Sequence, residues 1–294
     1  MIIDIHTHTF PQDIAKRALQ SMQQKCHTAL FSDGTEDGLL TSEQHAHVDL
    51  AVVQPVATNP DKVSHLNDYI IARNKVPERN IISFGAMHPA CPYWEQELEK
   101  LKTSGIAGIK LHPPYEKVDI DDPRSIAILR KCKDLEMIVL IHSGKDVGIP
   151  GATEALPVKI RHALDVVGPM KMIAAHMGGW GCWNDAKELL SDTGIFFDTA
   201  FSLGVMKPAP DQYKWTKNDL QLLSNDMFCE MVQAFGSEHI FFGTDSPWAD
   251  PAQELWKIKE LPLSKEEITM ILGKNASRLL SDVKLDLKQV DLRL

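Results

Sequence analysis

The feature that most restricts the fold of this 294-residue chain is an alternation. Short, nearly continuous apolar runs are separated eight times by segments of helical periodicity, the runs falling at 1–5, 50–56, 81–87, 106–112, 137–142, 170–176, 194–198 and 239–245. Val, Ile and Phe dominate them without strict polar alternation, as in parallel strands buried on both faces. Helices are expected at 13–25, 42–47, 59–75, 93–103, 122–135, 154–167, 184–191 and 217–235, with two more, 252–260 and 264–280, closing the chain. Eight parallel strands joined by crossover helices define an α/β fold, the closed (β/α)8 TIM barrel. An open doubly wound sheet shares the alternation. The count of eight, and the absence of Gly-x-Gly-x-x-Gly after the first run, favour the barrel. No linker or low-complexity stretch divides the sequence, so 1–280 is read as one domain and 281–294 as a tail.

Composition narrows the functional classes. With 31 basic and 40 acidic residues, a net charge of −9 argues against a nucleic-acid surface. No apolar run reaches membrane-spanning length. The first residues enter a strand at once, with no basic region and cleavage site, and the 5 cysteines are scattered without a Cys-x-x-Cys pair. A cytoplasmic location is therefore expected, with neither a disulfide framework nor a thiolate zinc site.

In a barrel of this kind chemistry sits at the C-terminal ends of the strands. There the chain places His6 and His8 (strand one), His88 (three), Lys110 and His112 (four), His142 (five), His176 (six) and Asp245 (eight). Five of eight strands end in histidine, although the sequence holds only 12, so chance does not explain the concentration. Residues 6 and 8 share a face of a strand, about 6–7 Å apart, and can converge on one ion. His6, His8, His142 and Asp245 supply three imidazoles and a carboxylate, a donor set for one divalent metal, most simply Zn2+, with Mn2+ or Fe2+ as the other choices. A metal so held lowers the pKa of bound water towards ~7 and polarises a substrate oxygen. Asp245 can touch the metal and also accept the water's proton. His176 is left as an acid/base group or as the group that orients the attacking water. His112, Lys110, His88 and Trp180 are expected around the substrate, with Trp183 and Trp248 as further aromatic candidates. Lys110 is alternatively a buried cation paired with Asp4, which is expected to point inward.

Five segments, Asp4-Ile-His-Thr-His8, Gly108-Ile-Lys-Leu-His-Pro113, Ile141-His142, Ala175-His-Met-Gly-Gly179 and Gly243-Thr-Asp-Ser-Pro247, resemble the amidohydrolase superfamily in identity and order. The branch most similar in look is the amidohydrolase-related one that includes aminocarboxymuconate semialdehyde decarboxylase, whose last helix Leu272-Gly-Lys-Asn-Ala276 also resembles. The resemblance implies a mononuclear metal on His6, His8, His142 and Asp245 and a catalytic histidine at His176. In binuclear members a strand-four lysine, here Lys110, is carbamylated and bridges two metals.

Hydrolysis of a small amide, lactone or ester is the reading preferred from these residues. Non-oxidative decarboxylation of a small unsaturated or aromatic acid is the alternative. Its usual arginine clamp is missing, since no arginine falls at a strand's C-terminal end. A DNase-type relative would carry a glutamate at strand three, where this chain reads Phe84-Gly-Ala-Met-His88. A small-molecule substrate is expected, with neither nucleic acid nor membrane as partner, and a homodimer is the base-rate assembly.

Overall fold

The apolar runs pair in chain order. In the structure, a computed structural model that describes residues 1–76 and 80–283, β1 (Ile3–Thr7), β2 (Leu50–Val53) and β3 (Ile81–Ser83) form one parallel sheet. β4 (Gly85–Ala86), β5 (Gly108–Leu111), β6 (Ile138–Ile141), β7 (Met172–Ala174), β8 (Phe196–Asp198) and β9 (Ile240–Phe241) form a second. β3 and β4 are one barrel strand interrupted at Phe84, whose N–H still donates to Val53 O at 3.0 Å. The other seam closes where Ile5 N–H donates to Phe242 O (3.0 Å) and Asp245 N–H to His6 O (2.8 Å). The result is the expected eight-position (β/α)8 TIM barrel.

Alternation along each strand sorts side chains into two cores. Ile138, Leu140, Ile173, Ala175 and Phe241 fill the barrel with Ile3, Ile5, Leu50, Val52 and Phe84. Ile109, Leu111, Val139, Ile141, Met172, Phe197 and Phe242 face the surrounding helices instead. β1 breaks this parity. Its register with β2 pairs Asp4 with Ala51 and Thr7 with Val53, so one extra residue is inserted between them. Such a bulge re-aims the side chains that follow it. Ile5 and His6 both turn inward, while Asp4 stays outside against α2 (Glu36–Ala46), where Glu43 lies.

The helical ring consists of α1 (Ala15–Cys26), α2, α3 (Val63–Asn74), α4 (Trp94–Thr103), α5 (Pro113–Glu116), α6 (Pro123–Asp134), α7 (Pro157–Val167), α8 (Trp183–Leu190), α9 (Asn225–Phe235) and α10 (Pro251–Lys259). α11 (Lys265–Thr269) and α12 (Asn275–Asp282) follow, joined by a π turn at Met270–Lys274. Within that turn Ile271 O accepts from Phe242 N–H at 2.8 Å, tying the last helices to β9. A Cβ at Gly273 would stand 2.3 Å from Met1 O, so only glycine allows the approach.

Several boundaries differ from the sequence reading. β1 begins at Ile3 and contains His6, rather than ending at residue 5. α2 starts at Glu36, not 42, because Thr35 caps it by accepting from Gly38 N–H; the Asp-Gly turn signals before it had suggested a longer loop. Residues 217–224 are not helical, since Ser224 caps α9 by accepting from Met227 N–H. α12 runs to Asp282, two residues past the expected domain end, and 284–294 lie outside the described residues. Among the described residues no helix is long and apolar enough to cross a membrane.

Candidate active site

The C-terminal ends of the strands open into a cavity of about 450 Å³. His6, His8, Lys110, His112, His142, Asp146, His176 and Asp245 line it, together with Phe10, Ile14, Met22, Val56, Trp180 and Trp248. His6 is its best-defined member. Its Nδ1 lies 2.9 Å from Asp198 Oδ2, a carboxylate that is wholly buried at the end of β8. The ring therefore donates its Nδ1 hydrogen to Asp198 and turns the Nε2 lone pair into the cavity, the carboxylate–histidine pairing typical of metal-ligand imidazoles. Asp198 Oδ1 accepts from the N–H groups of His176 (2.9 Å) and Ala200 (3.1 Å). Asp198 is not among the strand-end residues named from the sequence, although it ends an apolar run just as Asp245 does.

His6 Nε2 faces His8 Nε2 at 3.2 Å and Asp245 Oδ1 at 3.6 Å, and His8 Nε2 lies 3.1 Å from the same oxygen. Two ligands of a tetrahedral zinc ion, each 2.0–2.1 Å from it, sit about 3.3 Å apart. These three donors thus have the spacing of a tetrahedral face. Burial alone would raise the Asp245 carboxyl, but the His8 hydrogen bond and the nearby Lys110 charge hold it below the usual range. Asp245 and His176 both occupy left-handed backbone, at φ 63° and 57°, a conformation that costs about 1–3 kcal/mol in non-glycine residues.

His142 and His176 form the other half of the cluster. His176 Nδ1 lies 2.9 Å from Ala200 O, and His142 Nε2 lies 3.0 Å from Lys145 O. A carbonyl accepts only from N–H, so each neutral ring spends its one hydrogen there. His142 Nδ1 and His176 Nε2 then face each other at 3.1 Å with lone pairs only. Burial drives both rings down to about 3, with Lys110 adding to the shift at His142 and His142 to that at His176, so neither carries an extra proton near neutrality. Opposed lone pairs repel, and an ion taken up by His142 Nδ1 would relieve the pair, an independent sign that a divalent ion fits here.

His142 is not within the tight His6–His8–Asp245 group, but His176 bridges the two, with ring centroids 5.2 Å from His6 and 4.8 Å from His142. A further grouping, His112, His142 and Asp146, has side-chain separations of 3.5 and 3.8 Å. The His142 nitrogen involved already serves Lys145 O, which leaves that group a poorer metal site.

The remaining expectations divide. Lys110 Nζ sits 3.2 Å from His6 Nε2, and burial pulls its pKa down to about 8 against the opposing pull of Asp198, Asp245, Glu116 and Asp146. Its expected partner Asp4 is elsewhere. Asp4 accepts from Thr244 N–H (3.1 Å) and Thr244 Oγ1 (2.5 Å), and burial raises both it and the Glu43 carboxyl on the outer side of β1. The bulge is the reason for this correction.

His88 is likewise corrected: it is absent from the cavity wall, and its Nδ1 accepts from Ala90 N–H at 3.0 Å to cap its own loop. His112 lines the cavity, stacked on His142 with centroids 4.3 Å apart, and its Nδ1 is buried without a partner. Trp180 also lines the cavity, with an unpartnered Nε1. Its loop runs beside Ser143–Lys145: Trp180 N–H donates to Ser143 O at 2.8 Å and Lys145 N–H to Trp180 O at 2.9 Å. Gly144 at φ 90° permits the crossing, where a Cβ would lie 2.3 Å from Trp180 N.

A parallel barrel whose strand ends gather neutral imidazoles and an ionised aspartate in one pocket defines the class of metal-assisted barrel enzymes. The sequence matches the family described as "Amidohydrolase" over residues 3–281, and the chain belongs to that family. Enzymes of this family use a divalent metal, and the His/Asp groups here could bind one. No curated protein matches the chain. Among solved structures it is similar to an uncharacterised TIM-barrel protein from Bordetella bronchiseptica, with a TM-score of 0.73 at 15% identity, covering 97% of this chain and 99% of that one. It is also similar to 5-carboxyvanillate decarboxylase from Sphingomonas paucimobilis (TM-score 0.66, 13% identity, 95% and 98% covered). A third is a probable 2-pyrone-4,6-dicarboxylic acid hydrolase from Acinetobacter baumannii (0.60, 14%, 95% and 99%). At these identities the likeness speaks for the fold.

Proposed function

We propose that the protein is a metal-dependent hydrolase acting on a small amide, lactone or ester. The observation that carries this reading is Asp245, an ionised carboxylate with one oxygen against the His6 and His8 nitrogens and its side chain on the cavity wall. His6, His8, Asp245 and the inward Nδ1 of His142 would hold the ion, which supplies Lewis-acid polarisation and an acidified water when bound. Asp245 takes the proton from the attacking water and returns it to the leaving nitrogen or oxygen, so that one water is added across the acyl bond. His176, its Nδ1 hydrogen committed to Ala200 O, presents only a lone pair and orients the water by accepting its second hydrogen. Lys110, beside His6, offsets negative charge developing on the carbonyl oxygen.

Decarboxylation is the second reading, favoured by the placement of Lys110 and Lys145 on the wall, where they could hold a carboxylate. No arginine lines the cavity among the described residues, which supports hydrolysis. The test is the zinc-loaded protein against a panel of esters, lactones, amides and unsaturated or aromatic acids, with product and CO2 assayed together. CO2 release without hydrolysis of any panel member removes the hydrolase reading. Under the proposal His176→Ala keeps the metal by elemental analysis and loses about 10²–10⁴-fold in turnover. Loss of the metal itself would make His176 a ligand.

A further inference from the structure

A helix on the surface of a barrel needs one apolar stripe, and α1 has two. Ala15 and Leu19 are buried, at 1% and 3% exposure, and face the protein core. Ile14, Ala18, Met22 and Cys26 form a second row at four-residue spacing, and all four line the cavity. Twelve residues of helix rise about 18 Å, so this row extends well beyond the length of a single aromatic ring. Ile14, Ala18 and Met22 are only half-buried, which leaves apolar surface facing open cavity rather than protein. The helix's charged residues, Lys16, Arg17 and Lys25, are all exposed and off the cavity wall. The row is continuous with the strand-end cluster. Gly148, in the loop after β6, lies between Cys26 and Asp146: a Cβ there would be 3.7 Å from Cys26 Cβ and 3.3 Å from Asp146 Oδ1.

From this placement we infer that the part of the substrate remote from the reacting carbonyl is an uncharged, extended hydrocarbon chain lying along the Ile14–Ala18–Met22–Cys26 row. The inference rests on the hydrolytic reading for the chemistry of the head group. The wall itself carries no dependence on which bond is cleaved. A charged or strongly polar tail would lose its hydration against this row and find no partner on α1.

The test uses the full chain loaded with zinc. Straight-chain carboxylic acids from acetate to decanoate are titrated while tryptophan fluorescence is followed, Trp180 and Trp248 being on the cavity wall. Affinity is expected to rise about fourfold per added methylene until the row is covered. The same progression is expected in kcat/KM for p-nitrophenyl esters of these acids. Ala18→Asp should flatten the binding series, and Met22→Lys provides the same test if the first variant does not fold. A series that is flat in the unaltered protein, benzoate binding more tightly than every straight-chain acid, or a slope unchanged in both folded variants would each overturn the inference. Rising affinity without ester hydrolysis would keep the chain site and sink the hydrolase reading. Hydrolysis without chain-length dependence would do the reverse.

Discussion

The floor and the wall of the cavity are built on different physical terms. On the floor, at the strand ends, ring nitrogens are fixed by named partners: Asp198 for His6, Ala200 O for His176 and Lys145 O for His142. On the α1 wall, Ile14 at the N-cap and Ala18 and Met22 within the helix are half-buried apolar side chains with no polar atom for a partner to fix. Electrostatic preorganisation needs positions fixed to fractions of an ångström, and the floor supplies them from rigid strands. Apolar recognition tolerates displacement, because burial is roughly proportional to area and has no direction. Reaction and selectivity can therefore change independently in this fold, one by altering hydrogen-bond partners and the other by altering side-chain volume on a single helix.

The two stripes of α1 give the largest contrast. Leu19→Ala, on the core side, should cost about 2–5 kcal/mol of stability, whereas Met22→Ala, on the cavity side, should stay within about 1 kcal/mol by urea denaturation. Equal losses would mean that the cavity row is core after all. Beside the floor, at the end of α5, Glu116 provides a pH test. Burial lifts its carboxyl to about 8; one oxygen accepts from His112 N–H at 2.6 Å and the other has no partner. Between its unfolded value near 4.5 and about 8 the folded state holds a proton that the unfolded state has released, so stability falls as pH rises through that window. Glu116→Gln should remove that slope, giving a higher urea midpoint at pH 8 than the unaltered protein while the two converge below pH ~4. No difference between the curves would place Glu116 among ordinary carboxylates. Smaller again, Asp198→Asn should weaken zinc binding by about 10–100-fold in chelator competition by loosening His6. Unchanged zinc affinity would detach the floor's order from the ion it is proposed to serve.

The strand pattern and most of the histidine cluster were readable from the sequence because they depend on local rules, strand length and the residue that ends each run. Asp198 was equally available on that rule and was missed because Phe-Phe-Asp-Thr lacks a histidine to draw attention. Asp146 was harder to find, since it lies four residues past His142 in a loop whose path depends on Gly144. The pairing of Lys110 could not be read at all. It turns on a one-residue bulge in β1, and the sequence Ile-Asp-Ile-His carries no sign that parity breaks there. α2 was cut short for a related reason, as Asp33 and Gly34 signal a turn while Thr35 begins a helix immediately after it.

The seam that joins β1 to residues 242–246 also orders events in time. His6 and His8 are translated long before Asp245, whose N–H donates to His6 O. Until then the two histidines stand on a strand edge without the aspartate that faces them in the folded chain. The donor group of His6, His8 and Asp245 comes together only when the ring of strands closes, so an ion proposed to sit there would bind late, after the final long-range contact of folding.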